Sequence, residues 1–145
     1  MTIRAALIGA AGLTTMAAAQ PARSPAPRLL LPVTDADAAR IEGMGCESWF
    51  TQGNTGYAFL RNSTLMVRTA LARAGLSVCE LTALQVDDFG YRGKQMVCGG
   101  RRLMLRRTGP ASGHAEADSS DAAATLTIAD GARSATLRGR FGTAC

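Results

Sequence analysis

Histidine is almost missing from this 145-residue chain, with His114 the single example. That scarcity bears at once on zinc sites and Ser-His-Asp chemistry, both of which lean on imidazole. None of the four cysteines forms a C-x-x-C pair, and their spacings of 33, 19 and 47 residues offer no local knuckle for a metal. Aromatic residues are only 5% of the chain, and Tyr91 alone lies near its most basic stretch. Nucleic-acid grooves intersperse stacking aromatics with their cations, so nucleic acid is not an expected partner. No apolar run reaches the roughly 20 residues that a bilayer-spanning helix needs. No internal repeat is evident, and neither a metal nor a cofactor is expected.

What is present begins with a leader. In MTIRAALIGAAGLTTMAAAQPA, Arg4 supplies a positive charge and Ala5 to Met16 a short apolar run. Ala17-Ala18-Ala19 then places small side chains where a signal peptidase reads, so cleavage is expected between Ala19 and Gln20. No arginine pair precedes the run and no cysteine follows it before Cys46, which points to Sec-type export into the periplasm or beyond. The expected organisation is a signal peptide at 1–19, a Pro/Ala-rich tether at 20–33, and one small domain at 34–145. The exported part, about 126 residues, suffices for a single modest core.

Export changes the meaning of Cys46, Cys79, Cys98 and Cys145. In an oxidising compartment an even number of cysteines reads first as a disulfide framework. Three pairings are open. Geometry favours Cys79–Cys98, which closes a short excursion, with Cys46–Cys145, which ties down the two ends of the domain. The sequential alternative, Cys46–Cys79 with Cys98–Cys145, is not excluded by loop entropy.

The chain carries a net charge of +5, and loses Arg4 with the leader. Beyond the leader every basic residue except Lys94 is arginine. Phe89 to Ala115 holds basic residues and no acidic one; Glu116, Asp118, Asp121 and Asp130 follow, then Arg133, Arg138 and Arg140. An acidic loop laid over the basic stretch would cancel much of that field. Along VCGGRRLMLRR, Val97, Leu103 and Leu105 occupy odd positions while Arg102 and Arg106 occupy even ones. Period-two alternation describes a strand with one face in the core and arginines in water. Gly99-Gly100 is then the turn before the strand rather than a phosphate cradle, since no helix follows it. Arg101, Arg102, Arg106 and Arg107 form the candidate surface for a weak contact with an anionic partner.

Other segments carry local signals. Thr34 can cap a short helix from Asp35 to Ile41, ended by Gly43. Tyr57 to Leu60 and Leu65 to Val67 flank Arg61-Asn62-Ser63-Thr64 as a hairpin, with a helix over 65–73 as the alternative. Trp49, Phe50, Tyr57 and Phe59 are expected mostly in the core. Leu76 to Cys79 reads as a strand, and Thr82 with Gln85 as a capping box opening a helix that stops at Gly90. Tyr91 to Cys98 begins another extended segment, and 108–123 reads as a polar loop. Leu126 and Ile128 alternate with threonines before Asp130-Gly131, a favoured hairpin turn, and the strand resumes at Ala135 to Leu137. These elements imply a mainly β domain, a small antiparallel sheet, barrel-like or sandwich, with one or two short helices and disulfide staples. An α+β arrangement is the alternative.

Ser112, His114, Glu116, Asp118, Ser119 and Asp121 crowd the polar loop. Neighbours along a Gly/Ser-rich loop lack the rigid geometry that a nucleophile, base and oxyanion hole require. His114-x-Glu116 is half of a deaminase zinc motif without its Pro-Cys-x-x-Cys partner, and Asp118 with Asp121 lack the spaced ligands of a calcium loop. A non-catalytic exported binding or envelope-associated module is the expectation, with no catalytic residue assigned. A leader, a compact β-rich domain and disulfides together resemble the small periplasmic inhibitors of lysozymes or proteases. That resemblance implies inhibition of a hydrolase as an alternative function, although Ser112-Gly113 lacks the tyrosine expected to follow it. A small hydrolase using the loop is the remaining alternative.

Overall fold

The computed structural model describes residues 29–70, 75–114 and 118–145. The leader, its expected cleavage site and most of the tether lie outside the described residues. In chain order the elements are β1 (Leu30–Leu31), α1 (Asp35–Ala38), β2 (Glu47–Gln52), β3 (Thr55–Arg61), β4 (Thr64–Thr69), β5 (Leu76–Glu80), α2 (Ala83–Gly90), β6 (Gln95–Cys98), β7 (Arg101–Arg107), β8 (Ser112–His114), β9 (Ser119–Asp130) and β10 (Arg133–Ala144). All pair antiparallel in one sheet that runs β5-β4-β3-β2-β10-β9-β7-β6, with β1 added on β4 and β8 on β9. The sheet curls into a half-barrel, the mainly β architecture expected from the sequence.

Alternation along the strands builds the core. Phe50, Ala58, Leu60, Leu65, Val67, Leu103, Leu105, Leu126, Ile128 and Phe141 face the hollow, and Phe89 of α2 plugs it. A smaller cluster lies outside the curl, where Val33 and Ala38 cover Phe59 and Met66 with Trp49 beside them. The short helix that makes this cover is pinned electrically. Thr34 and Asp37 form a capping box, and Arg68 of β4 donates to Asp37 at 2.5 Å. The Arg68 hydrogen bond first, then the Thr34 amide, hold the Asp37 carboxyl well below the usual carboxylate range.

Both disulfides form in the favoured pairing, and no described cysteine is free. Cys46–Cys145 locks the entry of β2 to the exit of β10, which are already neighbours through Glu47 and Ala144. Cys79–Cys98 joins β5 to β6, the two terminal strands of the curled path, with Cα atoms 5.7 Å apart. A covalent link thus holds together two sheet ends that no hydrogen-bond ladder pairs.

Several expectations shift by a turn or a residue. Leu29 to Val33, expected at the end of the tether, belong to the domain: β1 pairs with Thr69 and Arg68, and Leu29, Leu30 and Val33 are buried. Burial of three apolar side chains outweighs the reluctance of the neighbouring prolines to form regular structure. The first helix ends at Ala38 rather than Ile41. Residues 65–69 form a strand, with Asn62-Ser63 as the turn and Asn62 at a φ of 53°. The helix alternative falls partly on 71–74, outside the described residues. The last hairpin turns on Gly131-Ala132, since Asp130 pairs directly with Arg133. The loop expected over 108–123 contains β8, and β9 already begins at Ser119.

Val97 is the instructive miss. Expected in the core with Leu103 and Leu105, it is 64% exposed. Gly99 and Gly100 both take positive φ, at 58° and 75°, so the chain reverses there in a two-residue turn that suits glycine. Val97 then pairs with Arg102 and shares its outer face, while Met96 and Cys98 point inward. A single alternation does not run through a hairpin.

The second helix begins where expected. Thr82 accepts from the Gln85 amide at 3.2 Å and donates its own amide to the Gln85 side chain at 2.8 Å. Its C-terminal Asp87 and Asp88 oppose the helix dipole, and the tertiary structure answers with Arg92 on Asp87 at 2.8 Å and Lys94 on Asp88 at 3.0 Å.

Candidate functional site

The four arginines of β7 divide strictly by strand parity. Arg102 and Arg106 project from the outer face and are exposed. Arg101 and Arg107 turn the other way and serve the fold. Arg101 is buried, donates to the Gly99 carbonyl at 3.0 Å and lies 3.9 Å from Asp130. Arg107 donates to the Gly90 carbonyl at 3.1 Å, with its guanidinium over the Tyr91 and Phe141 rings at 4.5 and 5.5 Å. Arg107 thereby ties β7 to the end of α2 by a charge-assisted bond and cation–π contact, while Arg101 fixes the turn between β6 and β7.

Arg138 takes the vacated place in the outer face. Arg106 pairs with Thr125 of β9, and Thr125 pairs with Arg138 of β10, so the three side chains form one transverse row. At normal strand spacing Arg106 and Arg138 are separated by about 9.5 Å, and Arg102 stands about 13 Å along β7 from Arg106. Between them lie Met104 and Ala129 with the paired hydroxyls of Thr127 and Thr136. None of Arg102, Arg106 and Arg138 has a carboxylate partner among the described residues. Two unit charges at about 10 Å in water repel by roughly 0.4 kcal/mol, and salt reduces it further. The row therefore costs the fold little and gives it nothing.

Arg140, one step beyond Arg138 on the same face, is different: it is paired with Asp121. The hydrogen bond to Asp121 pushes its pKa above the ordinary arginine value. Asp130 is shared inward between Arg101 and Arg133. The acidic segment thus neutralises Arg101, Arg133 and Arg140, as an acidic stretch over the basic one would, and leaves the central row uncovered. Arg138 was visible only as one of a late basic group. Its signal was the alternation Thr136, Arg138, Arg140, readable once β10 is registered against β9.

The polar-loop residues are spread along a sheet margin. Ser112 pairs with Asp121, Gly113 with Ser120, and the His114 backbone with Ser119. Asp118 takes a positive φ of 43° and accepts the Cys145 amide at 3.1 Å. Glu116 lies outside the described residues, as do 115 and 117. Among the described residues no group of three or more His, Cys, Asp or Glu could hold a metal, and no helix is long and apolar enough to cross a membrane.

What fold and face define together is a disulfide-stapled antiparallel half-barrel that presents an open arginine row on its convex side. No protein-family model matches the chain, and no curated protein or solved structure matches it either.

Proposed function

We propose that this chain is an exported, non-catalytic binding module that holds an anionic component of the cell envelope against the convex face of its sheet. Arg102, Arg106 and Arg138 make the contact. The observation that carries this reading is their arrangement: three outward guanidinium groups on a rigid sheet, none with a carboxylate partner among the described residues. Arginine suits the task because its planar fork meets phosphate or carboxylate with two parallel hydrogen bonds. Two disulfides, one holding the sheet ends and one the chain end, fit an oxidising compartment, in keeping with the leader at 1–19.

The test is retention of the purified exported chain on a sulfated-agarose column and on phosphatidylglycerol-containing vesicles. Both should bind it in a salt-sensitive manner, because exposed charges are screened beyond about 8 Å at physiological ionic strength. The triple variant R102E/R106E/R138E should lose retention without a change in urea midpoint. A triple variant that is retained like the parent would overturn the reading.

A further inference from the structure

The arginine row continues into a trench on the same convex face. Three consecutive strands set its cross-section: Asp121 of β9 pairs with Gly142 of β10, which pairs with Trp49 of β2. Asp121 and Trp49 therefore stand about 9.5 Å apart at their backbones with only a glycine between them. The result is a depression of about 370 Å³, walled by Trp49, Thr51 and the Arg61-paired Glu47 on one side and by Ser119 and Asp121 on the other, with Arg140 along it. A second depression, of about 390 Å³, opens on the far side of Trp49 against Thr34, Asn54 and Thr55. Each volume falls within the range that seats small ligands.

The indole is held for presentation rather than swallowed. Its ring lies on Gly56, where a Cβ would meet it at 2.6 Å, and it packs on Phe59 with centroids 4.5 Å apart. Yet Trp49 stays half-buried where Phe50 and Phe59 are fully enclosed. A fixed aromatic face beside hydroxyls and a charged pair suits the apolar C–H face and the hydroxyl rim of a sugar ring. Other ligand classes fit less well. β9, β10 and β2 are paired on both sides, so a peptide cannot add as a strand there. The exposed large apolar side chains among the described residues, Met44, Val78, Leu84, Tyr91 and Val97, line neither depression, so apart from the Trp49 ring an acyl chain would meet no large exposed apolar side chain there.

We infer that the trench seats a sugar unit on Trp49, and that the anionic component is an acidic polysaccharide lying across the convex face. Gly142 is the floor, Asp121 and Arg140 bond ring hydroxyls, and the acidic groups of neighbouring units reach the arginine row. Arg138 stands four residues along β10 from Gly142, about 13 Å, within reach of the next units of a short chain. This inference rests on the arginine-face reading and adds the chemical class of its ligand.

Trp49 is the only tryptophan in the chain, so its emission reports the trench directly. Titration with an oligouronate should change that emission saturably and shield the indole from acrylamide, while the matched neutral oligosaccharide binds more weakly. Gly142→Val should weaken oligouronate binding by at least about tenfold, or 1.4 kcal/mol, and leave binding to the sugar-free anionic vesicles intact. The added Cβ meets Asp121 Cβ at 3.2 Å, an adjustment of a few tenths of an ångström that the urea midpoint would monitor. The acrylamide measurement needs no variant. Oligouronate bound with the indole as quenchable as before, or bound equally by G142V, would overturn the trench. Retention on anionic vesicles with no oligouronate binding would overturn the polysaccharide and leave the arginine face standing. Failure on every anionic probe would overturn the arginine face itself.

Discussion

Leu103 and Val97 are six residues apart, one on each side of the Gly99-Gly100 turn, and their replacement by alanine separates the fold from a simple strand. Leu103 is fully buried, with Met96 across one strand pair and Ile128 across the other. Truncation removes about 1.5–3 kcal/mol of transfer free energy. The sheet neighbours are fixed by hydrogen bonds and cannot collapse into the void, which places the cost in the middle of the range for buried leucines, about 3–4 kcal/mol. Val97 is 64% exposed on the opposite face, so Val97→Ala should stay within about 0.5 kcal/mol of the parent. Urea denaturation with both disulfides intact reads the difference. The cross-linked unfolded chain is compact, so the slope should sit at the low end, roughly 1–1.5 kcal/mol per molar. Leu103→Ala then moves the midpoint down by about 2–4 M and Val97→Ala by less than about 0.5 M. Equal losses would mean that the stretch is one continuous strand, and would refute the reversal at Gly99-Gly100.

Three further outcomes follow from the same structure. Arg101→Ala should cost about 1–3 kcal/mol, because it strips a buried donor from the Gly99 carbonyl and a partner from Asp130, whereas Arg102→Ala stays near zero; thermal melts of the two check this. Removing Cys79 and Cys98 together should cost about 3 kcal/mol from the 19-residue separation, and removing Cys46 and Cys145 about 4.7 kcal/mol from 99, by chemical denaturation; the reverse order would show that sheet closure outweighs chain entropy. Asp37 has a folded pKa below its unfolded value of about 3.9, so its contribution is fully present above that pH and is lost as pH falls through the folded value. Asp37→Asn should remove this part of the acid sensitivity below about pH 4 and lower stability at neutral pH by about 2–4 kcal/mol, in denaturant titrations across pH.

Much of the fold was legible because its signals are local. The cap at Thr34 and the capping box at Thr82 depend on residues no more than three apart, and both form, the first as a full box with Asp37. The hairpin at Asn62-Ser63 and the strands from Leu126 announce themselves by turn residues and alternation. Of the three open disulfide pairings, the one favoured on geometry is the one that forms. The errors share one origin. Val97 was assigned by carrying one period through a turn, and Leu29 to Val33 were assigned by composition although their burial depends on β4. Of the candidate site, Arg102 and Arg106 were readable as outward. Arg101 and Arg107 were grouped with them because adjacency in sequence hides the parity that sends them inward.

By itself, then, the sequence determined the mainly antiparallel β class, the starts of the two capped helices and the outward direction of Arg102 and Arg106, since each depends on spacings of two to four residues; it favoured the observed cysteine pairing without excluding the sequential one. Only the tertiary structure decided that Arg138 joins Arg106 through Thr125, that Asp121 takes Arg140 and leaves the row bare, and that Gly142 opens a trench between Asp121 and Trp49. Those relations join residues brought together by strand register, and register is chosen by burying whole faces against one another. No local pattern in a single strand carries that choice.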